Sequence, residues 1–368
     1  MKFSCLQENL EKGLQTVSKA VPVKGSLPIL TNILFSTEDG KLKLSATNLE
    51  TAITTYVPCS IQEDGAITIP AKLIREFVSN LPPSTINAHL TGHTLHLSSD
   101  KTKSKFNGIT ADEYPELPTF PKDSKAIELD PKVFADAISF VAFASGTDDS
   151  RPIFSGVYLK CDGKLLTIAC TDGFRLSEKL LELGKKCEPF SAIIPAKTLL
   201  EVSRVFASSA EPLLFALNGN ENLALFKSED TTVATRIIDG EYPDYKKIIP
   251  QEKTLSADFS TADFIEAVKL TNVFAKEGNN AIKVRFDPSG VIRIMSLSEE
   301  AGEHVSELSG EIDGDMVEIA FSSKYLLDYL NNIKTETITF VTKGNVAPCI
   351  FKSGIHPNFI HIIMPMQI

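Results

Sequence analysis

The sequence predicts an α+β protein made of three copies of one unit, each with two helices and antiparallel sheets. The main observation is a recurring phrase. IPAKLIREF, which contains Lys72, returns as IPAKTLLEV with Lys197 and, in weaker form, as AFSSKYLLDYL with Lys324. These lysines are 125 and 127 residues apart. A pattern that recurs at a nearly fixed spacing indicates a duplicated structural unit.

The elements of each copy follow in the same order. A helical pattern opens the copies at 6–21, 129–144 and 259–275. Two strand-like runs come next, and their connecting turns contain Asp39-Gly40, Asp162-Gly163 and Ser289-Gly290, residue types that tolerate tight hairpins. The lysine phrase then supplies a second helix, and a proline-bearing tail closes each copy. We therefore predict domains at 1–125, 126–252 and 253–368. A chance match of short phrases is the alternative, and it leaves the shared order unexplained.

Composition excludes several classes of protein. Hydrophobic residues make up 43% of the chain and charged residues 23%, which is typical of a soluble globular protein and not of a disordered one. No apolar run approaches the ~18 residues of a membrane helix. Charges interrupt the start, MKFSCLQENLEK, where a signal peptide needs an apolar stretch. We expect a cytoplasmic protein with no membrane partner. The six cysteines form no CxxC pair, so we expect reduced thiols.

The helices carry basic residues opposite their apolar stripes. The predicted inward positions are Leu6, Leu10, Leu14 and Val17; Leu73, Ile74, Phe77, Val78 and Leu81; Leu199, Val202, Ser203 and Phe206; and Tyr325, Leu326, Tyr329, Leu330 and Ile333. The opposite faces present Lys12, Lys19, Lys72, Lys197, Arg204 and Lys324. Such cations can simply solvate exposed helices. Because they recur in three copies, we predict a shared cationic surface that attracts DNA phosphates, although the net charge is −10.

The helix at 259–275 has apolar residues on two sides. Phe264 and Val268 belong to its core stripe, together with Thr271, whereas Leu270, Val273 and Phe274 add apolar surface elsewhere. An apolar patch on a second face usually marks a protein contact. We predict a subunit interface here, formed with the first domain of a second copy in a head-to-tail arrangement that closes into a ring.

Five phrases give the chain a resemblance to a known family: MKFSCLQENL, LPILTNILF, CTDGFRLS, DGEYPDYKKIIP and the terminal MPMQI. Together they resemble the bacterial DNA polymerase III beta subunit, the sliding clamp. The resemblance implies the DNA-clamp fold in three tandem domains and a head-to-tail homodimer, a ring of six domains around double-stranded DNA. The implied function is that of a processivity factor. Its implied partners are the replicative DNA polymerase alpha subunit, the clamp loader and other proteins with a clamp-binding motif.

The same resemblance implies two sets of site residues. Lys24 and Arg151 would contact DNA. A hydrophobic cleft between the second and third domains would bind short peptides through Thr171, Gly173, Arg175, Leu176, Pro243, Lys247, Ile248, Ser322, Tyr325, Val346, Pro348, Ile362, Met364, Pro365 and Met366. Aliphatic walls suit leucine or phenylalanine anchors, and we expect Arg175 and backbone groups to fix the peptide. Phe174 and Gln367 depart from the polar or basic residues of the family.

Two other functions remain to be weighed. An enzyme is disfavoured because the sequence has neither GxxxxGK[ST] nor GxSxG. His89, His93 and His96 suggest a metal site, but the alternation of leucines around them predicts a hairpin with outward histidines. Asp148 and Asp149 are adjacent on a turn, so their carboxylates diverge. We predict no enzymatic activity, cofactor or metal. The second alternative is a β-rich scaffold that binds proteins but no DNA.

Overall fold

The computed structural model describes residues 1–24, 27–121, 126–148, 150–250, 252–277, 279–298 and 302–367. The described residues form six α-helices: Gln7–Val17 (α1), Ala71–Ser79 (α2), Pro131–Ala142 (α3), Ala196–Phe206 (α4), Thr261–Lys276 (α5) and Ser323–Asn332 (α6). None of these helices is long and apolar enough to span a membrane. The predicted α+β class is confirmed, since most of the remaining regular structure consists of strands, with a few short 3₁₀ helices.

The strands of the described residues are Lys2–Leu6 (β1), Asn32–Glu38 (β2), Lys41–Thr47 (β3), Thr51–Val57 (β4), Ser60–Glu63 (β5), Ala66–Pro70 (β6), Thr85–Thr91 (β7), Thr94–Ser99 (β8), Thr102–Asn107 (β9), Ile127–Leu129 (β10), Gly156–Asp162 (β11), Leu165–Thr171 (β12), Arg175–Glu182 (β13), Phe190–Pro195 (β14), Leu213–Asn218 (β15), Leu223–Ser228 (β16), Thr231–Arg236 (β17), Leu255–Ser260 (β18), Ala281–Asp287 (β19), Val291–Ser298 (β20), Gly302–Gly314 (β21), Val317–Ser322 (β22), Thr337–Thr342 (β23), Cys349–Ser353 (β24) and Phe359–Ile363 (β25). The named strand pairs are antiparallel. The predicted hairpins β2–β3, β11–β12 and β19–β20 are present. Gly40, Gly163 and Gly290 take positive φ in their turns, at 72°, 67° and 91°.

The chain packs as two compact units. The first unit comprises Met1–Val133 and Glu201–Ile237. It contains a five-stranded sheet, β5-β1-β7-β8-β9, and an eight-stranded sheet, β10-β15-β16-β17-β4-β3-β2-β6. Helix α1 packs on β3, β4 and α2. Gly13 permits this close approach, since a Cβ at that position would lie 2.7 Å from Cγ2 of Val57.

The predicted inward orientation is wrong for two residues of the first unit. Leu6 is 48% exposed and Leu73 is 55% exposed. Leu6 is the last residue of β1, so the helical pattern does not extend to it. In α2 the buried stripe runs through Ala71, Ile74 and Val78, and a residue one step before Ile74 points about 100° away from that stripe.

The second unit comprises Phe134–Leu200 and Ile238–Ile368. Its strands form one twelve-stranded sheet in the order β14-β11-β12-β13-β25-β24-β23-β18-β21-β20-β19-β22. Helices α5 and α6 pack against each other. Aromatic rings fill the core near these helices, and the ring centroids of Phe286 and Phe340 are 4.4 Å apart. Each fully buried phenylalanine contributes about 2–3 kcal/mol through removal of apolar surface from water.

The expectation of reduced cysteines is wrong for two of the six. Cys161 and Cys187 are joined as a disulfide. Cys161 lies near the end of β11, and the backbone N–H of Cys187 donates to the carbonyl of Gly163 in the adjoining turn. Tertiary pairing of the sheet edge therefore brings together two residues that no local spacing connects. Among the other cysteines, burial raises the pKa of the Cys5 and Cys349 thiols to about 12.

Candidate functional site

The turn at 171–175 forms one end of the predicted peptide cleft in the second unit. The Thr171 hydroxyl donates to the carbonyl of Arg175 at 2.6 Å and accepts the N–H of Gly173 at 3.0 Å. Oδ1 of Asp172 accepts the N–H groups of Phe174 and Arg175, at 2.9 and 3.0 Å. Gly173 has φ +94°, which favours glycine. Thr, Asp and Gly are residue types typical of turns, and side chains of the turn accept the N–H groups of Gly173, Phe174 and Arg175.

Arg175 is buried and bound to two carboxylates. Its Nε lies 3.1 Å from Oδ2 of Asp172, and its Nη1 lies 2.5 Å from Oδ2 of Asp328 on α6. The guanidinium stacks over Tyr325 at 4.6 Å and lies 5.8 Å from Phe143. Only 5% of the side chain is exposed. Arg175 thus links the turn to α6 and holds Tyr325 beside it. No sequence pattern pointed to Asp328, which is 153 residues away.

Four residues of the predicted cleft form its floor. Thr171, Arg175, Leu176 and Ile362 are all buried. Leu176 and Ile362 belong to an apolar cluster with residues from three elements and the connecting segment before β18: Ala169, Ile193, Tyr242, Tyr245 and Ile350. A ligand that stays on the surface would contact the rim and would meet these side chains only after they move.

The rim contains the exposed members of the predicted set. Ile248 is 44% exposed and Val346 is 72% exposed. Gly173, Pro243 and Lys247 are also exposed, whereas the half-buried members are Ser322, Tyr325, Pro348, Met364, Pro365 and Met366. The sequence did not include Phe174 among the cleft residues, although it is 56% exposed at the same edge.

The C-terminal segment is held by backbone hydrogen bonds. The N–H of Met364 donates to the carbonyl of Phe174 at 2.9 Å, and the N–H of Met366 donates to the carbonyl of Ala320 at 2.8 Å. These bonds place two methionines on the rim in a fixed position. Methionine suits such a place because its unbranched thioether adapts to different ligands.

A connecting segment carries two further residues of the predicted rim. It contains a short 3₁₀ helix, Tyr245–Ile248, which carries Lys247 and Ile248. Tyr242 precedes it and stacks on Tyr158 with ring centroids 4.7 Å apart. Burial, followed by a hydrogen bond to Glu178, raises the pKa of the Tyr245 phenol. Aromatic anchors therefore fix this segment to the sheet.

A cavity of about 400 Å³ in the second unit is lined by residues that were predicted for two different roles. Arg151 and Lys324, predicted to contact DNA, line it together with the cleft residues Arg175 and Tyr325. Arg151 lies 5.0 Å from the ring of Phe154 and pairs with Asp148 at 3.5 Å. Hydrogen bonds from Ser150 lower the pKa of Asp148. Asp149, the other carboxylate considered above, lies outside the described residues.

The predicted DNA-facing cations are exposed in both units. Those of the first unit are Lys12, Lys19, Lys24, Lys72 and Arg204, and those of the second are Arg151, Lys197 and Lys324. The carboxylate of Glu201 partly compensates the charge of two of these cations. Glu201 lies 3.9 Å from Nζ of Lys19 and 2.5 Å from Nη1 of Arg204. Partial burial lowers the pKa of Lys19, and the Glu201 carboxylate opposes that effect. The local positive charge is therefore smaller than the count of cations suggests.

The predicted interface residues lie on α5. Leu270 is 49% exposed and Val273 is 62% exposed. Phe274 is half-buried and stacks on His304, with ring centroids 5.4 Å apart. In the first unit, Leu73 is exposed at the surface and Ile109 is 38% exposed. The sequence missed both, because Leu73 fitted an inward helical position and Ile109 follows a strand.

The three histidines lie on the predicted hairpin, β7–β8. His89 and His96 face each other across β7 and β8, with stacked rings 4.4 Å apart, and His93 lies in the exposed turn. The described residues contain no group of three or more potential ligands that could hold a metal ion.

Comparison with known proteins gave matches along the chain. Family models of the DNA polymerase III beta subunit match in order: the N-terminal domain at 1–118, the central domain at 128–244 and the C-terminal domain at 246–367. The beta sliding clamps of Synechococcus elongatus and Bacillus subtilis are 29% and 28% identical, and each match covers 100% of both chains. The crystal structure of the Bacillus subtilis DNA polymerase sliding clamp has a TM-score of 0.94 at 28% identity, covering 100% of this chain and 99% of that one. A Pseudomonas aeruginosa sliding clamp bound to griselimycin has the same fold, with a TM-score of 0.93 at 24% identity over 100% of both chains.

Proposed function

The chain belongs to the bacterial DNA polymerase III beta-subunit family, the sliding clamps, and on this premise we propose how it works as a polymerase processivity factor. Two copies close head to tail around duplex DNA, and the ring tethers a polymerase through the peptide cleft. The ordered match to all three domains of the beta subunit is the observation that carries this proposal. The ring performs no chemistry of its own, because a topological link needs only closure and a binding surface.

Ring closure is supported by two open sheet edges. β9 is the last strand of its sheet, and residues 302–309 of β21 pair only with β20 among the described strands. β9 exposes Lys103 and Lys105, and the open edge of β21 exposes Glu303 and Glu307. Glu307 also pairs with Arg293 at 2.6 Å. Unpaired strand edges of opposite charge favour the addition of one sheet to another.

Apolar residues flank both proposed edges. Leu270, Val273 and Phe274 lie on α5, and Leu73 and Ile109 are among the exposed apolar residues of the first unit. Burial of such side chains is the main favourable term in stable subunit association. We therefore assign these five residues to the head-to-tail contact.

The DNA contact we propose is weak and independent of sequence. Lys24 and Arg151 supply charge on loops, and Lys12, Lys72, Lys197 and Lys324 supply it on helices. A sliding ring works best with screened attraction to phosphates, because directional base contacts would stop its movement. The net charge of −10 disfavours DNA elsewhere on the protein.

The peptide-binding role rests on the rim in the second unit. Ile248, Val346, Met364 and Met366 present apolar side chains around a floor of aliphatic and aromatic residues. This chemistry suits leucine and phenylalanine anchors of a short linear peptide. The polymerase alpha subunit, the clamp loader and other motif-bearing proteins are the partners we propose for it. In this proposal Arg175 supports the wall of the cleft, because Asp172 and Asp328 already compensate its charge.

Retention on circular DNA tests the proposed function. The chain is loaded by its clamp loader on nicked circular DNA, and the complex is separated from free protein by gel filtration. We expect retention on circles and loss after the circle is cut, since only a topological link is released at free ends. A scaffold that binds proteins but no DNA would fail to co-elute with either form, and equal retention on both forms would indicate ordinary binding.

A further inference from the structure

A buried carboxylate lies beneath the proposed peptide cleft. Glu178 is on β13, opposite Ile360 of β25 and Ala169 of β12. It is 8% exposed and shares a strand face with Leu176. Its Oε2 accepts a hydrogen bond from the hydroxyl of Tyr245, which is 6% exposed. A carboxylate in such apolar surroundings needs a donor, because its charge is otherwise strongly disfavoured.

The turn that Tyr245 begins has little support of its own. The N–H of Lys247 reaches the carbonyl of Asp244 at 3.4 Å, and the N–H of Ile249 reaches that of Lys246 at 3.4 Å. These distances are long for N–H···O bonds. The side chain of Ile248 is exposed, and the ion pair of Lys247 with Asp244, at 2.9 Å, is also exposed and contributes little. The position of the turn therefore depends on its aromatic residues, on Ile249, which packs against the apolar cluster, and on the bond to Glu178.

We propose that Glu178 is a positioning residue of the cleft, which holds the hydroxyl of Tyr245 and thereby fixes Ile248 and Lys247 on the rim. The proposal rests on the proposed peptide-binding function. A peptide that docks on a fixed rim loses less conformational freedom than one that must order the turn on binding. The pair consequently affects how long a bound peptide stays, more than how fast it arrives.

The first test compares two variants, each of which loses one tyrosine hydroxyl. Tyr245→Phe removes the hydroxyl that donates a hydrogen bond to Glu178. Tyr158→Phe removes a hydroxyl from the same aromatic group, where the ring stacks on Tyr242 and no bond to Glu178 exists. Binding of a fluorescein-labelled peptide with leucine and phenylalanine anchors, and of griselimycin in competition, is measured by fluorescence polarisation. We expect about ten-fold weaker binding for Tyr245→Phe at pH 7.5, and a change under about two-fold for Tyr158→Phe.

A conservative variant separates positioning from general damage. Glu178→Gln retains an acceptor for the Tyr245 hydroxyl and should bind within about three-fold of the parent. Glu178→Leu removes that acceptor and should weaken binding about ten-fold, as Tyr245→Phe does.

A second readout does not require a ligand. Amide hydrogen exchange at Lys247 and Ile249 should be faster in Tyr245→Phe than in Tyr158→Phe, because opening of the turn becomes easier. Thermal unfolding confirms that each variant folds. If Tyr245→Phe does not fold, Glu178→Leu with Tyr245→Phe replaces the pair by apolar groups, and its binding should be about ten-fold weaker than that of the parent.

Three outcomes have distinct meanings. Parent-like affinity and parent-like exchange in Tyr245→Phe would overturn the positioning role and leave the proposed function intact. Failure of the parent chain to bind either probe would count against the proposed cleft, while the exchange measurement would still decide the role of Glu178. Binding of Glu178→Gln that is as weak as that of Tyr245→Phe would indicate general damage and also overturn the proposal.

Discussion

Asp328→Ala tests the link between α6 and the turn at 171–175. The substitution removes one of two carboxylates that hold Arg175, at an Nη1–Oδ2 distance of 2.5 Å. Arg175 is 5% exposed and keeps Asp172, so the charge retains one partner after the change. Loss of a hydrogen bond between charged groups costs about 1.5–3 kcal/mol. Because the Asp328 side chain is 31% exposed, solvent screens part of this, and we expect a loss of about 1–2 kcal/mol.

The assay is thermal unfolding of the full chain beside a matched variant. In a unit of about 200 residues, the expected loss lowers the Tm of the second unit by about 2–8 °C. Asp244→Ala is the control, since it breaks an ion pair of 2.9 Å in which Lys247 and Asp244 are 82% and 60% exposed. We expect no measurable change for the control. Equal Tm values for the two variants would refute the idea that Asp328 supports the buried arginine.

The remaining predictions concern the interface, the DNA contact and pH. Val273→Asp places a charge in the proposed subunit contact and should convert a dimer into monomers of 40.2 kDa, measured by light scattering; a dimer that persists would exclude this face. Lys24→Glu with Arg151→Glu should slow loading on circular DNA at low salt without a change in Tm, and wild-type loading would contradict the cationic contact. Burial, then the charge of a nearby arginine, lowers the pKa of His361 well below its ordinary value, so the native state stays neutral while the unfolded state gains a proton below about pH 6.5. Stability should therefore fall by about 1 kcal/mol between pH 6.5 and 5.5, and His361→Phe should lose this dependence if His361 causes it.

Local sequence patterns were sufficient to predict the features that depend on neighbouring residues. The helices follow the 3.6-residue period of their apolar positions, and the hairpins follow their turn residues. The Asp172–Gly173 turn is also a local feature, because the Asp172 side chain accepts from the backbone two and three residues ahead. The order of three repeated units was also readable, since duplication preserves spacing. The cleft residues, Lys24 and Arg151 came from the resemblance to the clamp family, whereas the helix cations and the interface residues came from helical periodicity. All of these site residues remain predictions.

The sequence alone determined the α+β class, the order of the elements and the family, because periodicity, turn chemistry and repeated phrases are properties of contiguous residues. Only the tertiary structure decided which predicted residues stay accessible. Leu73 faces outward because the buried stripe of α2 lies about 100° from it, and Arg175 is enclosed because Asp328 reaches it from a distant helix. The disulfide of Cys161 and the support of Tyr245 by Glu178 arise in the same way. Such partners are set by how strands and helices pack, and packing over long sequence separations leaves no local pattern to read.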